Sequence, residues 1–303
     1  MNKLRSYVLP FAIVMGILFH RPLTLVKDCT PYIIFSILLL NNVAVDMKKL
    51  RLTRLDWWVA LFQIFVSLGS YFLFKLFGAS EIVAQGVLCG ILCPVAASSV
   101  VIACILGANR ETMTTYTIFG NLMVTIVAPI YFSFIGIQQD MPFLSSLWLI
   151  FRRIFPIIAL PFFTALLLQK FAPRANAFLC RYKGFSFYLW AAALTLTLGQ
   201  TIDFMFLHGR ENLGSILLMG GASIFFCGLQ FWLGKKMGEK CGDRIAGGQM
   251  LAQKNSAMGI WMANTYLLPL ASVYAALYSI WQNLFNSWQM WRHDRYMRSD
   301  KSE

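Results

Sequence analysis

The sequence predicts an all-α integral membrane protein with about ten transmembrane helices. Of its 303 residues, 58% are hydrophobic and only 13% are charged, whereas a soluble domain carries about 25% charged residues. Segments such as 55–78 and 185–206 run for roughly 20 residues with few charges, which is enough to cross a hydrocarbon core of about 30 Å. Because such segments fill the chain, we expect one transmembrane domain over residues 1–291 and no soluble domain.

Taken in order, the apolar segments define the predicted spans. They are Leu4–Phe19, Pro31–Val45, Leu55–Gly78, Ser80–Gly107, Thr112–Gly136, Leu147–Lys170, Phe185–Phe206, Leu213–Leu233, Arg244–Leu267 and Pro269–Met290. The first segment lacks a clear small-residue cleavage site, so we treat it as a helix and not as a signal peptide. Residues 292–303 are predicted to form a short, charged and disordered cytoplasmic tail.

The distribution of positive charge sets the expected orientation. In a soluble protein, the net charge of +13 would suggest nucleic acid as a partner. With both termini in the cytoplasm, however, 19 Lys and Arg residues fall at predicted cytoplasmic ends and at most 6 on the other side. This bias follows the positive-inside rule. We therefore expect a multi-pass protein of the cell membrane, in a bacterium the inner membrane, whose partner is the lipid bilayer and not nucleic acid.

The fourth span contains a strong helix breaker. Pro94 lies at its centre and is followed by the small-residue run 96–99. Proline removes a backbone donor and clashes with the preceding turn. An interrupted helix and a simple proline kink both fit this segment.

The ninth span carries a polar run in its middle, from Gln253 to Ser256. Lys254 lies ten residues after Arg244, about 15 Å along a helix, and a charge at that depth costs at least about 2.5–3.5 kcal/mol. A local unwinding would accommodate the run, although a lysine that snorkels to the cytoplasmic surface is the alternative. Interrupted segments at the same place in two halves are typical of transporters built from inverted repeats. The sequence thus predicts a five-plus-five inverted repeat with broken, crossing fourth and ninth helices.

Several stretches resemble the bile acid:sodium symporter family, within a superfamily that includes arsenite permeases. They are LCPVAASSVVIACILGANRET (92–112), GNLMVTIVAPIYF (120–132), QKNSAMG (253–259) and YSIWQNLFNSW (278–288). The second span, PYIIFSILLLNNVAVDMKKLRL, also fits. The resemblance implies a core domain over about 55–136 and 213–290, and a panel domain over about 4–45 and 147–206. It further implies that substrate lies in the cleft between the two, and that the cargo is an organic anion driven by two sodium ions.

Candidate site residues follow from matching the family position by position. Asn255 and Asn283 match asparagines that face the substrate. The candidate substrate-binding residues are Lys254, Asn255, Ser256, Asn283, Ala97 and Ser98. The remnants of the sodium sites are Gln63, Ser99, Asn121, Thr125 and Gln253.

The departures from the family concern the sodium sites. Met250 stands where the resemblance implies an acid, and Lys254 stands where it implies glutamine. None of the thirteen acids falls at mid-membrane. We therefore predict no cofactor and regard bound sodium as doubtful. One alternative is that Lys254 takes the place of a cation by donating to Gln63 and to freed carbonyls. A second is that it pairs with the substrate carboxylate. The third combines the two with proton coupling.

The expected function is secondary active transport of a small organic anion, such as a bile acid or another carboxylate. A metalloid oxyanion efflux permease is one alternative, since Cys93 adjoins Pro94. A membrane sensor that does not transport is another. An enzyme is not expected because no His, Glu and Cys constellation converges at one depth. No nucleotide-binding loop is present either.

Overall fold

The computed structural model describes residue 11, residues 14–137 and residues 141–299. Within these ranges the chain is almost entirely helical, and the only extended pairing in them is one isolated bridge between Val95 and Lys254. Residues 14–18 are helical. The α-helices that follow are α1 (His20–Leu25), α2 (Thr30–Asn42), α3 (Arg54–Leu76), α4 (Glu81–Leu92), α5 (Ser98–Ile105), α6 (Arg110–Ile135), α7 (Phe143–Ile158), α8 (Leu160–Phe171), α9 (Pro173–Arg181), α10 (Ser186–His208), α11 (Leu213–Lys240), α12 (Arg244–Ala252), α13 (Ser256–Tyr266) and α14 (Ser272–Ser299).

Four helices of the described chain are long and apolar enough to cross a membrane. They are α3, α6, α11 and the helix Lys183–His208 that contains α10. A fifth crossing is added if α7 and α8, which meet at a bend of 42°, count as one span. An all-helical protein with several helices able to span a bilayer is therefore confirmed.

Local sequence explains where several of these helices begin and end. The start of α3 carries a capping box in which Thr53 and Asp56 satisfy each other's backbone amides. The start of α6 is capped by the Asn109 side chain, which accepts from Glu111 N at 2.8 Å and Thr112 N at 3.0 Å. Just after α5, Gly107 has a φ of +99°, a conformation that glycine adopts without the strain of a side chain.

Both segments expected to be interrupted are interrupted. The fourth predicted span consists of α4 and α5, separated by residues 93–97, and the ninth consists of α12 and α13, separated by residues 253–255. Pro94 lies in the first gap, and the polar run around Lys254 forms the second. The simple proline kink is thus wrong, and so is the lysine that snorkels to the surface, because Lys254 is buried.

A third interruption was not expected. The sixth predicted span, Leu147–Lys170, is divided at Ala159 into α7 and α8. Pro156 lies in the last turn of α7 and Pro161 in the first turn of α8. Each proline removes a backbone donor, so this pair was the signal for the bend.

The prediction of a disordered tail from residue 292 is wrong for the part that the structure describes. Helix α14 continues without interruption through the basic residues to Ser299. Loss of hydrophobicity marks the end of a membrane-embedded stretch, but it does not end a helix, which stops only at a breaker or an unfavourable cap. Residues 300–303, like most of the first predicted span, lie outside the described residues.

Two groups of helices can be recognised, and they are joined by contacts of α6 with α7 and of α10 with α13. In one, α10 packs against α1 and α2, and α2 packs against α7 and α8. In the other, α11 packs against α12 and α14, and α3 packs against α4 and α6. Helices α11 and α12 approach closely at glycines: Gly234 and Gly238 lie against Gly247 and leave no room for a Cβ atom. Backbone contact of this kind is how helices associate in lipid, where apolar burial provides no driving force.

Candidate functional site

The two interruptions meet each other near the centre of the molecule. Ala96 N donates to Gln253 O at 2.9 Å, and Asn255 N donates to Pro94 O at 2.8 Å, which makes the antiparallel bridge between Val95 and Lys254. Irregular backbone within a membrane protein persists only where its polar groups find partners inside the protein. Each gap therefore supplies partners that the other gap needs.

Gln63 covers the carbonyl end of α4. Its Nε2 donates to Leu92 O at 2.8 Å and to Cys93 O at 2.6 Å, and its Oε1 accepts from the Tyr116 hydroxyl at 2.7 Å. Gln63 is fully buried. The amide predicted as part of an ion site is thus occupied in holding the freed carbonyls.

Lys254 lies at the same carbonyl end. Its side chain is 2% exposed, and its Nζ donates to Ile91 O at 2.8 Å. It forms no ion pair with a carboxylate of the described residues. The ammonium therefore faces the negative end of a half-helix, where a cation is favoured. Gln63 binds the neighbouring carbonyls and forms no hydrogen bond with the ammonium. The predicted direct bond between Lys254 and Gln63 is therefore wrong, and the two side chains instead bind adjacent carbonyls at the end of α4.

Gln282 holds the second gap and was not predicted as a site residue. Its Oε1 accepts from Lys254 N at 2.7 Å, and its Nε2 donates to Lys254 O and to Ser256 Oγ, both at 3.0 Å. Tyr278, one turn earlier on α14, donates to Ala252 O at 2.8 Å. Gln282 lies inside the stretch YSIWQNLFNSW, directly before Asn283, and a glutamine within an apolar span was the available signal.

A cavity of about 670 Å³ lies between the two packing groups. One wall comes from α2 and α10, and the opposite wall comes from α5, α14 and the two gaps. No charged side chain is among the described residues that line it. Ligand cavities of this size typically have mostly apolar walls and a few placed polar groups, and this one matches that pattern. The polar lining residues are Asn41, Ser98, Ser186, Gln253, Asn255, Asn283, Asn286 and Ser287.

The cavity borders the beginnings of two half-helices. Ala97 and Ser98 at the start of α5, and Asn255 and Ala257 at the start of α13, all line it. Asn255 also caps α13, accepting from Met258 N at 3.3 Å. The first amides of a helix lack intrahelical acceptors, and the local dipole favours negative charge. The positive ends of the two half-helices thus border the cavity, whereas Gln63, Lys254 and Tyr278 cover the negative ends.

The predicted substrate-binding residues divide between the cavity wall and the crossing. Asn255, Asn283, Ala97 and Ser98 line the cavity, as does Gln253. Lys254 and Ser256 do not; both are buried against Gln282. Two cavity asparagines, Asn41 and Asn286, were not anticipated.

The remaining ion-site candidates lie on α5 and α6, which pack together. Ser99 Oγ and Asn121 Oδ1 are buried with no hydrogen-bond partner among the described residues. Thr125 Oγ1 instead donates to Asn121 O at 2.9 Å. Hard cations require several oxygen ligands, commonly with a carboxylate among them, and Met250, which is fully buried, supplies none. These residues therefore offer oxygen atoms but no carboxylate to a sodium ion, and at the crossing the Lys254 ammonium binds the Ile91 carbonyl.

Cys93, the residue behind the metalloid alternative, is 1% exposed and does not line the cavity. Its thiol donates to Asn255 O at 3.0 Å. It therefore serves as a hydrogen-bond donor within the crossing.

Comparison with known proteins finds no family model that matches the chain and no curated protein that matches it. The resemblance to the bile acid:sodium symporter family therefore stays a prediction from the motifs of the sequence.

Proposed function

We propose that the protein is a secondary active transporter of a small organic anion, a divergent member of the bile acid:sodium symporter family with ten spans in an inverted repeat. The observation that carries the proposal is the placement of the two half-helix starts. Ser98 and Asn255 bring both positive helix ends to one wall of an otherwise uncharged cavity. A carboxylate bound there would meet the positive ends of both half-helices and the amide side chain of Asn283, while its apolar body would contact α2 and α10.

The arrangement of helices supports alternating access. In the proposal, the group containing α2 and α10 is the panel, and the group containing α3 to α6 and α11 to α14 is the core. The cavity lies between them, so a rigid-body movement of one against the other would change which side of the membrane it faces.

In the proposal, the cavity of this conformation opens toward the cytoplasm. Its walls extend from the two gaps to Asn41, Ile105 and Met290, near the ends of their helices. The charge bias assigns those ends to the cytoplasm. At the opposite end, Gln85 links α4 to Ile135 O at 2.8 Å and accepts from Leu268 N at 2.8 Å, which ties the helix ends together.

Lys254 defines the expected coupling. Because its ammonium lies on the carbonyl end of α4 and outside the cavity wall, we assign it the role of a tethered cation and not that of a substrate ligand. Transport is then expected to require no sodium at this position. The membrane-sensor alternative differs in predicting binding without flux.

The test uses the purified protein in liposomes and in detergent. A panel of carboxylates is screened by thermal stabilisation with and without sodium, and each stabilising compound is then used in an uptake assay. We expect stabilisation and flux that are unchanged when sodium is replaced by choline. Steep activation by sodium would contradict the role of Lys254, and ligand binding without flux would favour a sensor.

Two variants separate the roles of neighbouring residues. Lys254→Met is expected to retain ligand-induced stabilisation, since the side chain does not line the cavity. It is expected to lose transport, because it removes the tethered cation. Asn283→Ala is expected to weaken the ligand-induced stabilisation itself. Loss of ligand binding in Lys254→Met would instead assign Lys254 to the substrate.

A further inference from the structure

Three basic residues converge at one end of the helices α11, α12 and α14. Lys235 is half-buried near the end of α11, Arg244 opens α12, and Arg292 lies on the exposed final part of α14. The rings of Phe231 and Phe285 lie 5.5 Å apart, one turn before Lys235 on α11 and about two turns before Arg292 on α14, which brings these parts of the two helices together. The Lys235 stem lies along α12, because a Cβ atom placed on Gly248 would be 2.8 Å from Lys235 Cγ. Gly248 is one turn from Arg244, so the two occupy the same face of α12.

No acid of the described residues forms an ion pair with Lys235, Arg244 or Arg292. The ion pairs among the described residues lie elsewhere and join His20 to Asp203, Lys49 to Glu111 and Lys75 to Glu81. Asp243 precedes Arg244, but its carboxylate accepts from Ala246 N and from Asn109 N, both at 2.8 Å.

Glu239, one turn after Lys235, is exposed and forms no ion pair with a described residue. Three cations that face one another without a partner repel, most strongly where one is partly removed from water. A bound anion would remove that repulsion.

Aromatic residues place the cluster at the depth of lipid headgroups. The Arg292 guanidinium lies 5.7 Å from the centre of the Trp288 ring, and the Arg295 guanidinium lies 5.5 Å from that of Trp291. Trp288 and Trp291 are exposed on the helix surface. Tryptophan concentrates at the membrane–water interface, where the anion at hand is the phosphate of a phospholipid, and basic pockets between helices on the cytoplasmic side bind such headgroups.

From this convergence we propose that Lys235, Arg244 and Arg292 form a binding site for the phosphate group of an anionic phospholipid. The arginines present planar forks suited to phosphate oxygens, and the half-buried lysine adds a point charge from below. The site uses none of the residues assigned to substrate. It therefore stands or falls independently of the transport proposal.

The experiment measures the apparent Tm of the purified, delipidated protein with added phosphatidylglycerol, phosphatidylcholine or inorganic phosphate. Lys235→Gln and Arg292→Gln are compared with Lys236→Gln and Arg295→Gln, which remove the same charge one residue or one turn away. We expect phosphatidylglycerol to raise the Tm of the wild-type protein and of both controls. Lys235→Gln and Arg292→Gln are expected to lose at least half of that shift.

Three outcomes would overturn the proposal. Equal stabilisation by phosphatidylcholine would show that the headgroup charge has no part. A shift reproduced in full by inorganic phosphate would assign the cluster to a soluble anion and not to a lipid. An equal loss in Lys236→Gln or Arg295→Gln would show an effect of net charge alone.

Discussion

Gln282→Met removes the side chain that joins α14 to the gap of the ninth span. Methionine has nearly the same length as glutamine but no amide, so Lys254 N–H loses its acceptor in a buried place, at a cost of about 1–3 kcal/mol. The hydrogen bonds to Lys254 O and Ser256 Oγ are also lost, each worth about 0.5–1.5 kcal/mol. The expected loss is about 2–6 kcal/mol, a large part of a typical unfolding free energy of about 5–15 kcal/mol.

A matched control is available at Gln230 on α11. This side chain is fully buried, yet neither of its amide atoms has a hydrogen-bond partner among the described residues. Gln230→Met removes a buried, unpaired polar group and is expected to leave stability unchanged or raise it. The same chemical substitution at equal burial should therefore act in opposite directions at the two positions.

The assay is the apparent Tm of both variants in detergent, followed by intrinsic tryptophan fluorescence. We expect Gln282→Met to lower the Tm by about 3–9 °C and Gln230→Met to leave it level or higher. If both variants lower the Tm equally, or if Gln282→Met has no effect, the crossing is not stabilised by these hydrogen bonds.

Two further variants test packing and the cavity. Gly247→Ala is expected to lower the Tm, because a Cβ atom there meets Gly234 O. The control is Gly221→Ala, whose Cβ atom meets no atom within 4 Å; it should be neutral or gain up to about 1 kcal/mol of helix propensity. Equal Tm values for the two variants would argue against the close contact of α11 and α12. Asn283→Ala loses only a local bond from its amide to Ser279 O at 2.6 Å, so we expect an unchanged Tm together with reduced uptake of whichever carboxylate stabilises the wild-type protein. A large fall in Tm would show that Asn283 is structural.

Interruptions could be predicted because their causes are local. Pro94 cannot donate a hydrogen bond and a run of polar residues around Lys254 cannot face lipid, whatever surrounds them. The same reasoning applied to Pro156 and Pro161 would have predicted the bend between α7 and α8.

The contacts of the polar residues could not be predicted in the same way. The sequence indicated that Lys254 is buried, but its partner, Ile91 O, lies 163 residues away in the chain. Gln282 and Asn286 look alike in sequence, since both are amides in the same apolar span. One holds the crossing and the other lines the cavity, because they lie one turn apart along α14 and meet different neighbours: Gln282 binds Lys254, and Asn286 accepts from Gln249.

The sequence by itself determined that the chain is suited to a lipid bilayer, that it is helical, and that its fourth and ninth apolar segments are interrupted. These follow from composition, from the length of apolar runs and from the chemistry of single residues, all of which are properties of short stretches of chain. Only the tertiary structure decided that the two gaps pair through Val95 and Lys254, that the carbonyl ends are covered and that the amide ends border a cavity. Those facts depend on which distant segments meet, and packing in three dimensions sets that.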